Sequence, residues 1–196
     1  VTPAYYAQWG AAGPPAEPRA PAFLVGFPRS GTTLLDTILM GHPDTHVLEE
    51  EPVMARVRDA LGDQALIADI GAGEVAQLRD RYFRELATIS PAPAGRTVID
   101  KLPLNILRVP LIHRIFPDAK FIFAVRHPCD VVLSCFMQNF KVNQAMASFL
   151  DLENAARFYD AVLSYWKQCQ AIFPLNVHFI RYEDVVADLE SEMRAL

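Results

Sequence analysis

The residues with the clearest chemical potential form a short loop between an apolar run and a helical pattern. Gly26, Gly31 and Thr33 give the spacing G-x-x-x-x-G-x-T, the skeleton of a phosphate-binding P-loop. Such a loop directs backbone N–H groups at an anion, and the helix dipole adds to the attraction. Thr32 stands where ATP and GTP enzymes place a Lys, which favours a single 5′-phosphate carrying sulfate over a triphosphate. A Gly-containing turn that caps a helix is the alternative.

Two cationic side chains stand where further apolar runs end. Arg126 and Lys101 each follow such a run, and ligands of open α/β sheets bind at the carboxyl ends of strands. Arg126 offers a forked, permanently charged donor to a phosphate monoester, and Ser134 in the next helix can add a neutral hydrogen bond. The alternatives are an ion pair between Arg126 and Asp130, a packing position for Ser134 and a solvated strand end at Lys101.

An alternation of strands and helices must position these residues. Because short apolar runs alternate with helical spacing, we predict an α/β fold, a P-loop-like parallel β-sheet flanked by helices on both faces. The predicted strands are 22–25, 97–99, 120–125 and 176–180, and the predicted helices are 33–40, 51–61, 73–89, 105–116 with a disturbance at Pro110, one from about 129, 151–171 and one from 185 onward.

The composition excludes several classes of protein. A chain of 196 residues that is 52% hydrophobic suits one compact domain, and a net charge of −5 argues against a general nucleic-acid binder. Three cysteines without a CxxC pair suggest neither a disulfide framework nor a zinc site, which favours a reducing, cytoplasmic setting. No apolar stretch approaches the ~20 residues that span a bilayer, so we predict no membrane insertion. Residues 1–21, rich in Ala and Pro, are expected to form a linker or N-terminal arm, or else a poorly ordered terminus.

The loop and four later motifs resemble one family of enzymes. Residues 28–34, Pro-Arg-Ser-Gly-Thr-Thr-Leu, are similar to the 5′-phosphosulfate loop of sulfotransferases that depend on 3′-phosphoadenosine 5′-phosphosulfate (PAPS). This form of the loop occurs in tyrosylprotein sulfotransferases and in bacterial sulfotransferases that often follow tetratricopeptide repeats. The resemblance covers residues 22–196 and continues in order and spacing at 101–103, 115–121, 125–128 and 181–184.

The resemblance implies a reaction and assigns residues to it. The chain would move a sulfuryl group from PAPS to an acceptor hydroxyl, release PAP and require no metal. We assign Lys101 to the leaving-group oxygen and Arg29 to the 5′-phosphosulfate, since cations stabilise charge on the bridging oxygen. The implied cofactor-binding residues are Arg29, Ser30, Gly31, Thr32 and Thr33 at the 5′ end, Arg126 and Ser134 at the 3′-phosphate, and Tyr182 near the nucleotide.

A run of three acids supplies the candidate base. Tyrosylprotein sulfotransferases carry a Glu-Glu pair at this distance from the loop, and the second Glu, the base there, matches Glu50. A solvated helix N-terminus is the alternative for this run. His46 and His113 are fallback candidates, because small-molecule sulfotransferases use a His. The three remaining histidines are expected to be structural: His42, His127 and His178.

Departures from the family leave the acceptor open. The Thr-Arg that follows the Glu-Glu pair in the tyrosylprotein family is here Glu51-Pro52, so a tyrosine-peptide acceptor is in doubt, and a small molecule, a glycan or a peptide all remain. Relatives continue beyond the Arg-Tyr-Glu motif, so we expect the domain 22–196 to be C-terminally truncated, and tetratricopeptide repeats to precede it if the natural chain has them. The alternative functions are a P-loop kinase or nucleotidase with a divergent loop, for which Asp100 is the one Walker-B-like acid, and a non-catalytic PAP-binding domain.

Overall fold

The sheet is built around the first apolar run of the chain. The computed structural model describes residues 2–9, 17–62, 67–140 and 145–196. Within them, the strands are β1 (Ala22–Gly26), β2 (Thr45–Glu49), β3 (Thr97–Lys101), β4 (Lys120–Val125) and β5 (Asn176–Arg181). All neighbouring strands are parallel, and their order is β2-β3-β1-β4-β5. Every residue of the central strand β1 is buried, as a parallel strand covered on both faces requires.

Helices connect these strands. They are α1 (Pro3–Tyr6), α2 (Thr32–Met40), α3 (Val53–Asp59), α4 (Ala72–Ile89), α5 (Val109–Ile115), α6 (Pro128–Met137), α7 (Leu152–Ile172), α8 (Tyr182–Ala187) and α9 (Leu189–Ala195), with 3₁₀ turns at Ile67–Asp69, Pro103–Arg108 and Met146–Leu150. The N-cap side chains of three of them accept backbone hydrogen bonds: Thr2 from the N–H of Tyr5 in α1, Asp151 from that of Asn154 in α7, and Asp188 from that of Ser191 in α9. Across the described ranges, no helix has both the length and the apolarity to cross a membrane.

Residues that alternate along the strands enter two separate cores. Phe23 of β1 faces the larger core, where Trp166 of α7 stacks on Phe123 of β4 with 4.5 Å between ring centroids. Leu24 faces the smaller core and packs there with Leu35 of α2. Helices therefore cover both faces of a parallel sheet, and the predicted fold class is confirmed.

The strand β2 is absent from the sequence prediction. It pairs with β3 at the edge of the sheet, in register from Thr45 opposite Thr97 to Glu49 opposite Lys101. Of its side chains only Leu48 is fully buried, because an edge strand is partly solvated. One fully buried residue, with the half-buried Val47 before it and the exposed Glu49 after it, leaves little of the alternation by which a strand is recognised.

Two predicted helices differ in detail. The segment predicted as one helix over 105–116 is a 3₁₀ turn followed by α5, because Pro110 lacks an N–H and fits only the first turn of a helix. The last helix begins at Tyr182 rather than at residue 185, and it breaks at Asp188, whose side chain caps α9. In both cases a local backbone preference overrides the helical periodicity.

The described N-terminal residues pack against the larger core. Tyr6 meets Phe173 edge to face with 4.9 Å between ring centroids, and Trp9 lies 5.1 Å from the same ring. The ring of His113 lies beneath them, 5.3 Å from Phe173. The predicted linker or arm over 1–21 thus includes a segment that covers the end of α7; residues 1 and 10–16 lie outside the described residues.

Candidate active site

Three chain segments meet at one edge of the sheet because β1 lies between β3 and β4. Gly26 at the end of β1 is in register with Ala124 of β4, and Leu24 is in register with Lys101 of β3. Because β3 and β4 lie on opposite sides of β1, the chain leaves the sheet in opposite directions around β1, and a crevice opens at the carboxyl ends of these strands. The P-loop, Lys101 and Arg126 therefore share one edge of the sheet.

Both glycines of the loop are required by close approaches of other atoms. A Cβ on Gly26 would lie 2.6 Å from the carbonyl oxygen of Ala124 and 2.7 Å from Ser30 Oγ. Gly31 has a φ of +99°, and a Cβ there would lie 2.7 Å from the Tyr182 ring. Only glycine fits these two positions, which explains the spacing found in the sequence.

The loop leaves several hydrogen-bond donors free for an anion. The helix α2 begins at Thr32 with Gly31 as its N-cap, and no side chain caps it. Its first N–H groups have no intrahelical acceptor, and they carry the positive end of the dipole. Ser30 is buried, and its hydroxyl has no hydrogen-bond partner within the part of the chain that the structure describes. These donors fit a phosphate or phosphosulfate group.

Arg29 projects from the loop toward the helix α6. Its φ of +70° lies in the left-handed region, and its Nε donates to Ser134 Oγ at 3.1 Å. Ser134 was predicted to act with Arg126 on one phosphate, and in the structure its hydroxyl accepts a hydrogen bond from the loop arginine. The contact brings the 5′ loop and the helix that follows Arg126 together.

Arg126 stacks on Tyr182 beside the loop. Its guanidinium carbon lies 4.7 Å from the centroid of the Tyr182 ring, the ring that also closes on Gly31. The Nε of Arg126 is buried and has no partner in the described ranges, while Asp130 lies 3.9 Å from its Nη2. An ion pair at that distance leaves the forked donor available to a phosphate.

Glu183 fixes the turn that carries Arg126. Its Oε1 accepts a hydrogen bond of 2.8 Å from the backbone N–H of His127. This bond, with help from Arg181, lowers the pKa of Glu183 below its ordinary value. The carboxylate thus ties the start of α8 to the Arg-His-Pro turn through the backbone of His127.

Lys101 is fully buried, and its ammonium group contacts three carboxylates. Its Nζ lies 2.7 Å from Asp36 Oδ2, 2.9 Å from Glu50 Oε1 and 3.7 Å from Glu49 Oε1. Burial acts to lower the pKa of Lys101, but the hydrogen bonds and charges of Asp36 and Glu50 outweigh it, so the pKa lies above its ordinary value. The ammonium is therefore held in its charged form at the edge of the site.

Asp36 was not identified from the sequence. It lies on α2 and is buried to 1% exposure together with Thr32 and Leu35 of the same helix. A carboxylate on the buried face of a helix requires a cation or several donors, because an unpaired buried charge is costly. That placement was the available signal for a buried partner, but it does not select Lys101 from the other cations of the chain.

Glu50 has an unusual backbone and an accessible carboxylate. Its φ is +52°, and its N–H donates to the carbonyl of Lys101 at 2.7 Å. Its side chain remains 56% exposed although it binds a buried ammonium. Among the described residues, Arg29 and Glu50 are the non-glycine residues with positive φ, and strained positions of this kind cluster at functional sites.

A cavity of about 510 Å³ lies between the loop, Glu50 and the Arg126–Tyr182 pair. Its walls combine the loop, the candidate base and the arginine–tyrosine pair with a set of apolar side chains. The lining residues are Pro28, Arg29, Gly31, Thr32, Thr33, Leu34, Glu50, Leu102, Pro103, Leu104, Arg126, Phe140, Met146 and Tyr182.

The fallback histidines lie elsewhere. His46 Nε2 is 2.9 Å from Ser90 Oγ, beside the end of α4, and His113 is 3.4 Å from the Tyr6 hydroxyl under the N-terminal segment. Burial lowers the pKa of His113. Neither side chain lines the cavity, whereas Glu50 does.

Asp100 points into the larger core, together with Phe23 of the neighbouring strand and Tyr82 of α4. Its fully buried carboxylate accepts from the Tyr82 hydroxyl at 2.9 Å and from Asn105 Nδ2 at 3.1 Å. Burial raises its pKa to about 7, against the lowering effect of these bonds and of Arg108. The one Walker-B-like acid is thus engaged inside the core rather than beside the phosphate loop.

A comparison with known protein families identifies the family of this chain. The sequence model of the Sulfotransferase family matches residues 21–196. Protein-tyrosine sulfotransferase 1 of Danio rerio is 30% identical over 191 residues, covering 89% of this chain and 51% of its own length. An uncharacterized protein of Aquifex aeolicus is 26% identical over 192 residues, covering 91% of this chain and 25% of its own.

A solved structure shares the fold. The crystal structure of a sulfotransferase from Alicyclobacillus acidocaldarius superposes with a TM-score of 0.59 at 19% identity, covering 89% of this chain and 78% of that one. The chain thus spans between a quarter and about half of these two curated relatives.

Proposed function

Since the chain belongs to the sulfotransferase family, we propose that it moves a sulfuryl group from PAPS to an acceptor hydroxyl and releases PAP. One observation carries the proposal: the anion-binding loop lies between the Arg126–Tyr182 pair on one side and the Lys101–Glu50 pair on the other. The first pair suits the nucleotide, and the second suits an acid–base reaction beside the sulfur.

The 5′ end of PAPS would lie on the loop. The N–H groups of Thr32 and Thr33, the free hydroxyl of Ser30 and the guanidinium of Arg29 would hold the phosphosulfate. A nucleoside triphosphate fits less well, because Thr32 replaces the Lys that binds β- and γ-phosphates.

The 3′-phosphate would bind at Arg126. The free Nε of Arg126 and its weak pairing with Asp130 leave a charge-assisted donor beside the loop. Tyr182 holds the guanidinium plane by stacking and would lie next to the nucleotide. Ser134 would contribute by accepting a hydrogen bond from Arg29 Nε, as it does in the structure, or by donating its own hydroxyl hydrogen to the phosphate.

Glu50 would act as the general base. The acceptor oxygen would bond to sulfur, the sulfur–oxygen bond to the 5′-phosphate would break, and the acceptor proton would pass to Glu50. A protonated Glu50 attracts Lys101 less, which frees the ammonium for the bridging oxygen as that oxygen takes up charge. Asp36 keeps Lys101 in place during this exchange.

A thermal-shift measurement with PAP tests the proposal. PAP at 100 times its dissociation constant should stabilise the chain by about 2.7 kcal/mol, and EDTA should leave that shift unchanged. A larger shift with ATP that requires Mg²⁺ would instead favour a kinase or nucleotidase and contradict the proposal. PAP formation from PAPS with 2-naphthol then separates an enzyme from a non-catalytic PAP-binding domain.

A further inference from the structure

The position of the acceptor follows from the residues that would transfer the group, and this inference rests on the proposed function. The reacting hydroxyl must reach Glu50 and the sulfur held at the loop, so the acceptor occupies the part of the cavity beside Glu50. The cations that line the cavity within the described residues are Arg29 and Arg126, and both belong to the nucleotide side.

Among the described residues, the cavity wall outside the loop, Glu50 and the Arg126–Tyr182 pair is apolar. Leu102, Pro103 and Leu104 directly follow Lys101 and line the cavity, and Phe140 and Met146 complete this wall. We call these five residues the apolar wall. An acceptor that contacts the wall must have an apolar body, because a polar group placed there would lose its hydration without gaining a partner.

The apolar wall is anchored in the larger core. Phe140 packs against Phe149 with 5.2 Å between ring centroids, and Phe149 in turn meets Phe27 at 5.7 Å. Phe27 is 2% exposed and precedes the loop. The wall therefore has packed support, as a preformed ligand pocket requires.

The charge beside the candidate base is negative. Glu49 and Glu50 are each 56% exposed, and Glu51 follows them. Lys101 faces Glu49, Glu50 and Asp36 together, so three carboxylates surround one ammonium. Glu50 lines the cavity and Glu49 lies beside it around the same ammonium, so an anionic acceptor would meet a net negative charge at this end.

We propose that the acceptor is an uncharged alcohol or phenol with an apolar body, and that the Glu49–Glu51 run excludes acidic peptides and anionic glycans. The apolar wall supplies the attraction, and the three glutamates supply the discrimination. Specificity of this kind combines a favourable pocket with a repulsive element against the wrong partner.

A matched pair of ligands tests this assignment without requiring turnover. The dissociation constants of 2-naphthol and 6-hydroxy-2-naphthoate are measured by calorimetry on the full chain saturated with PAP. The two compounds share one ring system and one hydroxyl, and they differ by a carboxylate. We expect 2-naphthol to bind at least tenfold more tightly, and an alkyl substituent to improve affinity about fourfold per methylene.

Two variants assign the discrimination to the named residues. Glu49→Gln should reduce severalfold the ratio by which 2-naphthol binds more tightly than 6-hydroxy-2-naphthoate. Glu190 is an exposed glutamate of α9 paired with Arg194, and Glu190→Gln should leave that ratio unchanged. Leu104→Asn should weaken 2-naphthol binding about tenfold or more while PAP affinity is retained.

The outcomes separate this inference from the proposed function. Failure of PAP to bind overturns the proposed function, and the acceptor assignment with it. Normal PAP binding with equal or tighter binding of the naphthoate, or with no 2-naphthol binding, overturns the acceptor assignment alone. A preference that Glu49→Gln and Glu190→Gln change equally would mean that overall charge, rather than the glutamate run, causes it.

Discussion

The ammonium group of Lys101 lies 2.7 Å from a carboxylate oxygen of Asp36, and neither side chain is more than 1% exposed. Asp36 thereby links the helix that follows the phosphate loop to the strand that ends at Lys101. The same ammonium reaches Glu50 at the cavity, so a fully buried ion pair supports an accessible candidate base.

Removal of Asp36 should destabilise the fold. Asp36→Ala leaves Lys101 buried with Glu50 as its nearest remaining carboxylate, and breaking a buried pair on one side costs about 3–5 kcal/mol. We expect a loss near the lower limit, measured by urea denaturation. The double change Asp36→Leu with Lys101→Met should recover most of the lost stability, because an apolar pair leaves no uncompensated charge. A double variant whose loss of stability equals the sum of the losses of the two single variants would contradict this account.

Replacement of Glu50 should affect turnover and spare binding. Glu50→Gln keeps the size of the side chain and removes its basicity, so kcat should fall about 10²-fold or more. PAP affinity, measured by calorimetry, should barely change. His46→Ala is the matched control, since His46 binds Ser90 outside the cavity and should retain its activity. An active Glu50→Gln beside an inactive His46→Ala would reverse the assignment of the base.

The preference for PAP over AMP should depend on Arg126. A charge-assisted contact contributes about 1.5–3 kcal/mol, or roughly one to two decades in affinity. Arg126→Ala should remove most of that preference and change AMP binding little, as measured by calorimetry with both nucleotides. Ser134→Ala should show a smaller loss. If Arg126→Ala weakens both nucleotides equally, Arg126 supports the fold by stacking on Tyr182 and does not bind the phosphate.

Stability should decrease as the pH rises toward neutrality because of Asp100. Its pKa is about 7 in the folded chain against an ordinary value of 3.8. Between these values the folded chain binds a proton that the unfolded chain has released, so the free energy of unfolding falls with rising pH and levels off above about 7. Urea denaturation from pH 5 to 8 should show this slope, and Asp100→Asn should flatten it. An unchanged slope in Asp100→Asn would assign the dependence to other groups.

The local motifs could be predicted from the sequence because each depends on residues that are close together in the chain. Gly26, Gly31 and Thr33 lie within eight consecutive residues, so the motif that curves the backbone around an anion can be recognised from the sequence alone. The apolar runs at 22–25, 97–99 and 120–125 likewise predicted β1, β3 and β4, because a buried parallel strand needs a continuous apolar segment. Together with the helices between them, these runs determined the fold class.

Only the tertiary structure decided which side chains meet. Arg29 and Ser134 are 105 residues apart, and their contact depends on the rotation of α6 about its axis, which spacing alone does not define. Asp36 meets Lys101 because α2 packs on the face of the sheet that carries Leu24 and Ile99. The strand β2 brings Glu49 and Glu50 to the same ammonium through pairing at the sheet edge. Local sequence specifies backbone geometry, whereas the pairing of buried charges depends on how distant elements pack, and that packing is determined by the whole core.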